Sequence, residues 1–258
     1  MYMIIYPNVA GKFYPADPEV LRHDILQLLA DNRNKLSPPK AIIAPHAGYI
    51  YSGPTAAAAY ECLRPTQQIT HVVLLAPAHR YPVNGIVTTQ ANYYLTPLGQ
   101  IAIGQNNVTL PYFQVCEEAF MHEHAIEVHL PFLQLTLKNF TLVPLLVGIA
   151  TAAQVTTVLE KFWDGPETLI IISSDLSHYL PYTTAKNLDA KTAAAICKLA
   201  ADELVAEQAC GVTAIQGLLN VATKKNMQVT QIDLRNSGDT AGPKDQVVGY
   251  GAFHFTER

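Results

Sequence analysis

The run His71-Val72-Val73-Leu74-Leu75-Ala76-Pro77-Ala78-His79 decides how the rest of the chain is read. Val72 to Ala76 is apolar without alternation, the pattern of a strand buried on both faces, and such strands belong to parallel sheets covered by helices. Pro77 ends the strand, because proline has no N–H to give to the ladder. A histidine then follows two residues on. The same arrangement occurs some thirty residues earlier, in Ala41-Ile42-Ile43-Ala44-Pro45-His46. Both imidazoles therefore sit just past the carboxyl end of a strand, which is where open α/β sheets bind their ligands.

Working outward, short apolar runs at 41–44, 71–76, 84–89, 141–147, 168–173 and 247–255 are predicted strands. Helical patterns lie between them. Asp17-Pro18 caps and opens "EVLRHDILQLLADN", and "GPTAAAAYECL", a Pro-interrupted "EVHLPFLQLTL", 183–206 and 211–225 follow. Strand and helix in alternation predict an α/β fold, a single domain over residues 1–258 with a largely parallel central sheet flanked by helices. No Pro/Gly/Ser-rich linker and no internal repeat divides it.

Hydrophobic residues make up 49% of the chain and charged residues 15%, with a formal net charge of -4. No basic stripe is present to follow phosphates, so nucleic acid is not an expected partner. No apolar run approaches the roughly 18 residues that a membrane span requires, and the N-terminus lacks the basic start and apolar stretch of a signal peptide. A cytoplasmic protein without membrane contact is expected. Cys62, Cys116, Cys197 and Cys210 are far apart with no C-x-x-C, which argues against a zinc knuckle or a disulfide framework. Cys197 and Cys210 fall in Ala-rich helical surroundings and read as buried, inert thiols.

A third strand, "ETLIIISSDLSHY", ends on Ser173-Ser174-Asp175 and leads to His178, while "RNSGDTAG" offers Asp239 on a Gly-flanked loop. Two histidines and one carboxylate with open positions suit non-haem Fe(II). A further neutral histidine can move protons near neutral pH. In "MHEHAIEVHLPF" a zinc-protease H-E-x-x-H would need histidine at 126, and Ile126 stands there. His124 either joins the pocket or belongs to a solvated helix start with acidic residues near its positive end. Ser173 and Ser174 beside His178 suggest a Ser/His pair only weakly, since no oxyanion motif accompanies them. G-x-S-x-G, P-loop and G-x-G-x-x-G patterns are absent.

"VAGKFYP" (9–15), "PHAGYIYSG", "APAH", "EHAIEVHLPF", "SSDLSHY" and "NSGD…VVGYGAF" occur in an order that resembles the Memo family, system protein B of the AmmeMemoRadiSam trio. The resemblance implies a fold similar to LigB-type class III extradiol dioxygenases, with a non-haem iron pocket. By motif, His46 and His79 would be metal ligands. His178 would be the pocket acid/base, with Asp175 behind it and His124 assisting. The animal Memo pattern places a cysteine shortly before the last strand; this sequence departs there, and Asp239 is expected to complete a 2-His-1-carboxylate set for Fe(II). Zn or Cu are the alternatives, a thiolate favouring the softer metals. The resemblance also implies an AMMECR-type protein and a radical SAM protein as partners. Three activities fit: an Fe(II)-dependent oxidoreductase, a non-catalytic module binding a peptide or small ligand in a vestigial pocket, and zinc-dependent hydrolysis.

Overall fold

The structure is a computed structural model that describes residues 3–30, 38–63, 69–104, 107–163 and 165–257. The strands are β1 (Ile4–Ile5), β2 (Ala41–Ala44), β3 (His71–Pro77), β4 (Ile86–Thr88), β5 (Tyr93–Thr96), β6 (Gly99–Ile103), β7 (Phe113–Val115), β8 (Thr141–Val147), β9 (Thr168–Ser173), β10 (His178–Leu180), β11 (Gln228–Asn236) and β12 (Val247–Thr256). The helices are α1 (Pro18–Ala30), α2 (Tyr49–Tyr60), α3 (Leu130–Thr136), α4 (Ala152–Phe162), α5 (Tyr182–Cys197) and α6 (Val212–Lys224).

Among the described residues, one sheet carries all twelve strands. Its centre is the parallel block β8-β3-β9-β2, with Leu75 of β3 opposite Leu145 and Ile172, and Ile43 of β2 opposite Ile172. β12 joins β2 antiparallel and in turn carries β10 and β11, so the sheet is mixed at its margin. The unbroken apolar runs bury side chains on both faces. Ile42, Val72, Leu74 and Ile171 face α1, α2 and α3. Ile43, Val73, Leu75 and Ile170 face α4, α5 and α6. Parallel strands with helices on both sides are the consequence.

Local signals explain several boundaries. Asp17 Oδ1 accepts from the Glu19 and Val20 N–H groups, capping α1. α2 differs from expectation: it starts at Tyr49 and contains Pro54, so that proline lies inside the helix rather than opening it. The segment predicted helical over 183–206 ends as α-helix at Cys197.

The core also holds a titratable group. His254 of β12 is buried, and its Nε2 donates to the Ala59 carbonyl (2.9 Å) of α2. Burial holds its pKa at about 4, below the ordinary 6.5, so the folded protein keeps the ring neutral. The unfolded chain takes up a proton first as pH drops, so this contribution is whole above 6.5 and is lost as pH falls toward 4. Chemical denaturation at pH 7 and pH 4 should show wild type losing about 3 kcal/mol more than His254→Gln, which keeps a donor but does not titrate. Equal losses would contradict this.

Candidate metal centre

β3, β9 and β2 are side-by-side neighbours, so their carboxyl ends meet at one edge of the sheet. Three Pro- or Ser-terminated strands thus deliver His79, Asp175 and His46 to a single place. A cavity of about 600 Å³ opens there, lined by His46, His79, His124, Asp175 and His178 together with Tyr250. The rings of His46, His79 and His124 form a triangle, with centroids 5.2, 5.6 and 5.2 Å apart.

Each ring is oriented from behind. Ser173 Oγ lies 2.6 Å from His46 Nδ1 and donates its own proton to the Ala125 carbonyl at 2.8 Å. A hydroxyl has one proton to give, so His46 Nδ1 must be the donor and Nε2 carries the lone pair. Burial, reinforced by the neighbouring His79 and His124, holds the His46 pKa well below 6.5, and the ring is neutral.

His79 and His124 lean on Glu123. This buried carboxylate accepts from His79 N (2.6 Å), His79 Nδ1 (3.0 Å), His124 N (2.8 Å) and Ala125 N (3.0 Å). His124 Nδ1 lies 3.2 Å from Oε1, the oxygen that accepts three of these four bonds. Burial alone would raise the Glu123 pKa, but hydrogen bonds and charge from His79, with the backbone donors, outweigh it and bring the group to about 2. His79 Nδ1–H donation leaves Nε2 free, as in His46.

Cys210 supplies a thiol to the same spot. Its Sγ is 3.5 Å from His46 Nε2, and one ligand atom each of His46, His79 and Cys210 lies within 4.8 Å of the others. Gly211 permits this approach, since a Cβ there would stand 2.8 Å from both the Ser173 carbonyl oxygen and Ser174 Cβ. Burial, with the charge of Asp175, pushes the thiol up to about 12, so it holds its proton until a metal displaces it. His79, Glu123 and His124 form a second group of close donors. Glu123 already accepts four N–H groups, three of them on Oε1, which makes the His46–His79–Cys210 set the better metal site. Four-coordinate zinc, with bonds of about 2.0–2.3 Å, needs ligand atoms about this far apart after a small closure.

Asp175 is buried beside this set, with Oδ1 accepting from the His46 backbone N–H at 2.9 Å and Oδ2 4.0 Å from His46 Nε2. Burial raises its pKa against those donors. His178 lies on the cavity wall, followed by Tyr179 at φ 56°, a left-handed conformation rare for a bulky side chain and frequent at functional turns. Away from the cavity lining, the buried Glu127 accepts from Asn8 N (2.6 Å), Val9 N (2.9 Å) and Tyr14 Oη (2.7 Å). It thereby fixes the segment that sets Phe13 edge-on against His124, 4.9 Å between centroids.

The expectations for Asp239 and Cys210 are corrected. Asp239 is exposed; its carboxylate accepts from Tyr182 Oη (2.6 Å) and the Asn236 N–H (3.0 Å), closing a single helical turn after β11. A side chain spent on that reciprocal cap does not reach the histidines. Its loop contributes Ser237 and Gly242 to the cavity wall instead. The sulfur nearest the histidines comes from the turn before α6, not from the stretch before the last strand, so Cys210 stands beside His46 rather than apart in the helical core. Glu123 was legible only as part of an acidic, His-rich segment, and Ser173 only as half of a Ser/His pair with the wrong histidine.

A family profile described as Memo-like protein matches residues 6–254, nearly the whole chain. The chain belongs to the Memo-like family. It is 34% identical to a MEMO1 family protein of Aquifex aeolicus, over 95% of this chain and 96% of that one. A MEMO1 family protein of Sulfolobus acidocaldarius is 32% identical over 98% and 99%, and one of Archaeoglobus fulgidus 31% over 97% and 98%. The matches run end to end, so the pocket of this Memo-like chain lies wholly inside the region of likeness. Among the described residues, no helix is long and apolar enough to cross a membrane.

Proposed function

We propose that this Memo-like protein is a metal-dependent oxidoreductase whose metal, Fe(II) in the first instance, is held by His46, His79 and Cys210. The observation that carries the reading is the meeting of two oriented imidazoles of the cavity wall with a thiol close behind them, their ligand atoms within 4.8 Å of one another. A structural zinc site would be closed on all sides, whereas this one faces about 600 Å³ of open space. When bound, the ion supplies Lewis acidity and one-electron exchange with dioxygen. The chain's own residues then do the rest. Asp175 Oδ2 is placed to accept a proton from a hydroxyl-bearing ligand, and His124 and His178, which line the same cavity, are placed to return one. An AMMECR-type protein and a radical SAM protein are proposed as its partners on the resemblance alone.

The thiol favours a second reading of the metal, because sulfur selects Cu(I) or Zn over harder ions. Anaerobic titration of the metal-stripped protein with Fe(II), Zn(II) and Cu(I), followed by oxygen uptake with and without a catechol, tests both. Stoichiometric binding should be lost in His46→Ala and Cys210→Ala and kept in Asp239→Ala. Binding no tighter than buffer, or loss in the Asp239 variant alone, would overturn the assignment.

A further inference from the structure

Ser173 is the last residue of β9 and is fully buried behind the metal-facing histidines. Its hydroxyl makes three contacts: His46 Nδ1 at 2.6 Å, His129 Nε2 at 2.8 Å and the Ala125 carbonyl oxygen at 2.8 Å. The carbonyl can only accept, so the serine proton goes to Ala125 and both imidazoles donate to the serine oxygen. His129 is consistent with this from its other side, where Tyr60 Oη lies 2.7 Å from Nδ1 and supplies the proton that Nδ1 accepts. Burial holds the His129 pKa well below 6.5, so the ring has one N–H, and that one points at Ser173. A continuous chain therefore runs Tyr60 to His129 to Ser173, and His46 donates into its end.

A nucleophilic role for Ser173 does not fit this arrangement. The hydroxyl lies on the far side of His46 from Cys210, its proton is committed to a backbone carbonyl, and both of its histidine neighbours are donors rather than bases. What the arrangement does is choose a tautomer. An imidazole that donates from Nδ1 has its lone pair on Nε2, the atom 3.5 Å from Cys210 Sγ.

We propose that Ser173 is a positioning residue for His46: with its hydroxyl direction fixed by Ala125 and by the buried Tyr60–His129 pair, it locks His46 in the Nδ1–H tautomer and aims Nε2 at the metal site. The tautomer lock stands on the hydrogen-bond geometry around Ser173; its consequence for metal affinity rests on the metal-centre reading above. Partners of this kind behind a ligating histidine are worth about 10–100-fold in metal affinity.

The test is long-range proton–nitrogen NMR of the metal-free, histidine-labelled protein, with Co(II) affinity measured on the same samples. Wild type should show a bare Nε2 and a protonated Nδ1 at His46. Ser173→Ala should lose that preference, with Nε2–H appearing, and bind Co(II) 10–100-fold more weakly at unchanged stoichiometry. Ser173→Thr, which keeps the hydroxyl, should recover both. A wild-type His46 protonated at Nε2 would overturn the proposal without any variant having to fold. So would a Ser173→Ala protein that keeps the Nδ1–H form and binds Co(II) within twofold of wild type. If wild type has the expected tautomer but binds no metal, the lock stands and the metal-centre reading falls instead.

Discussion

Replacing Glu123 with alanine is expected to destabilise the protein by about 3–5 kcal/mol and to weaken metal binding by about 10–100-fold. The carboxylate is 1% exposed and receives three backbone N–H groups and the His79 ring N–H. Removing it orphans all four donors in a dry place, at about 1–3 kcal/mol for each one that finds no water. The His79 ring also loses its anchor and can turn its lone pair away from Cys210. Glu123→Gln is no remedy, because either amide orientation sets an NH2 against a donor, so it should fall between alanine and wild type. Urea denaturation and competitive metal titration measure the two effects. A loss below about 1 kcal/mol with unchanged affinity would mean that water replaces the carboxylate without cost.

The sheet was legible because its central strands are written in one physical code. β2, β3 and β9 are apolar on both faces and end in proline or serine, so their positions and the placement of His46 and His79 follow from local chemistry. β5, β6 and β11 were not legible. They lie toward the margins of the sheet, where the half-exposed pattern of β11, for example, mixes polar and apolar residues that read equally well as loop. Pro54 misled in a different way, since a proline near a helical pattern ordinarily marks the first turn, and α2 accommodates it one turn in. Cys210 was illegible for a tertiary reason. No histidine or second cysteine lies near it in sequence, and it joins the histidines because α6 docks its N-terminal turn, through Gly211, against the end of β9.

With Cys210 rather than Asp239 beside the two histidines, the chemistry expected of the site changes. The set becomes softer and more electron-rich than two histidines and a carboxylate, which stabilises Cu(I) and Zn alongside Fe(II). The carboxylate is not lost from the neighbourhood, though, because Asp175 stands 4.0 Å from His46 Nε2. Whether that oxygen coordinates or moves protons decides how much the site resembles a facial triad.

Two substitutions at Asp175 separate these roles. Asp175→Ala removes the acceptor of the buried His46 N–H, and with it the support of the Ala47 N–H, so about 2–4 kcal/mol of stability should be lost and the His46 turn should loosen. Asp175→Asn keeps a carbonyl oxygen where Oδ1 stands and should remain within about 1 kcal/mol of wild type. Its amide cannot take up a proton. If Asp175 is the proton acceptor, Asp175→Asn binds metal within tenfold of wild type and its metal-dependent oxygen uptake falls by about 10²–10⁴. If Asp175 is a ligand, affinity falls in step with Cys210→Ala while the fold stays intact. An Asp175→Asn protein with wild-type affinity and wild-type turnover would remove the residue from the chemistry, leaving it the task its Oδ1 already performs: holding the turn that aims His46.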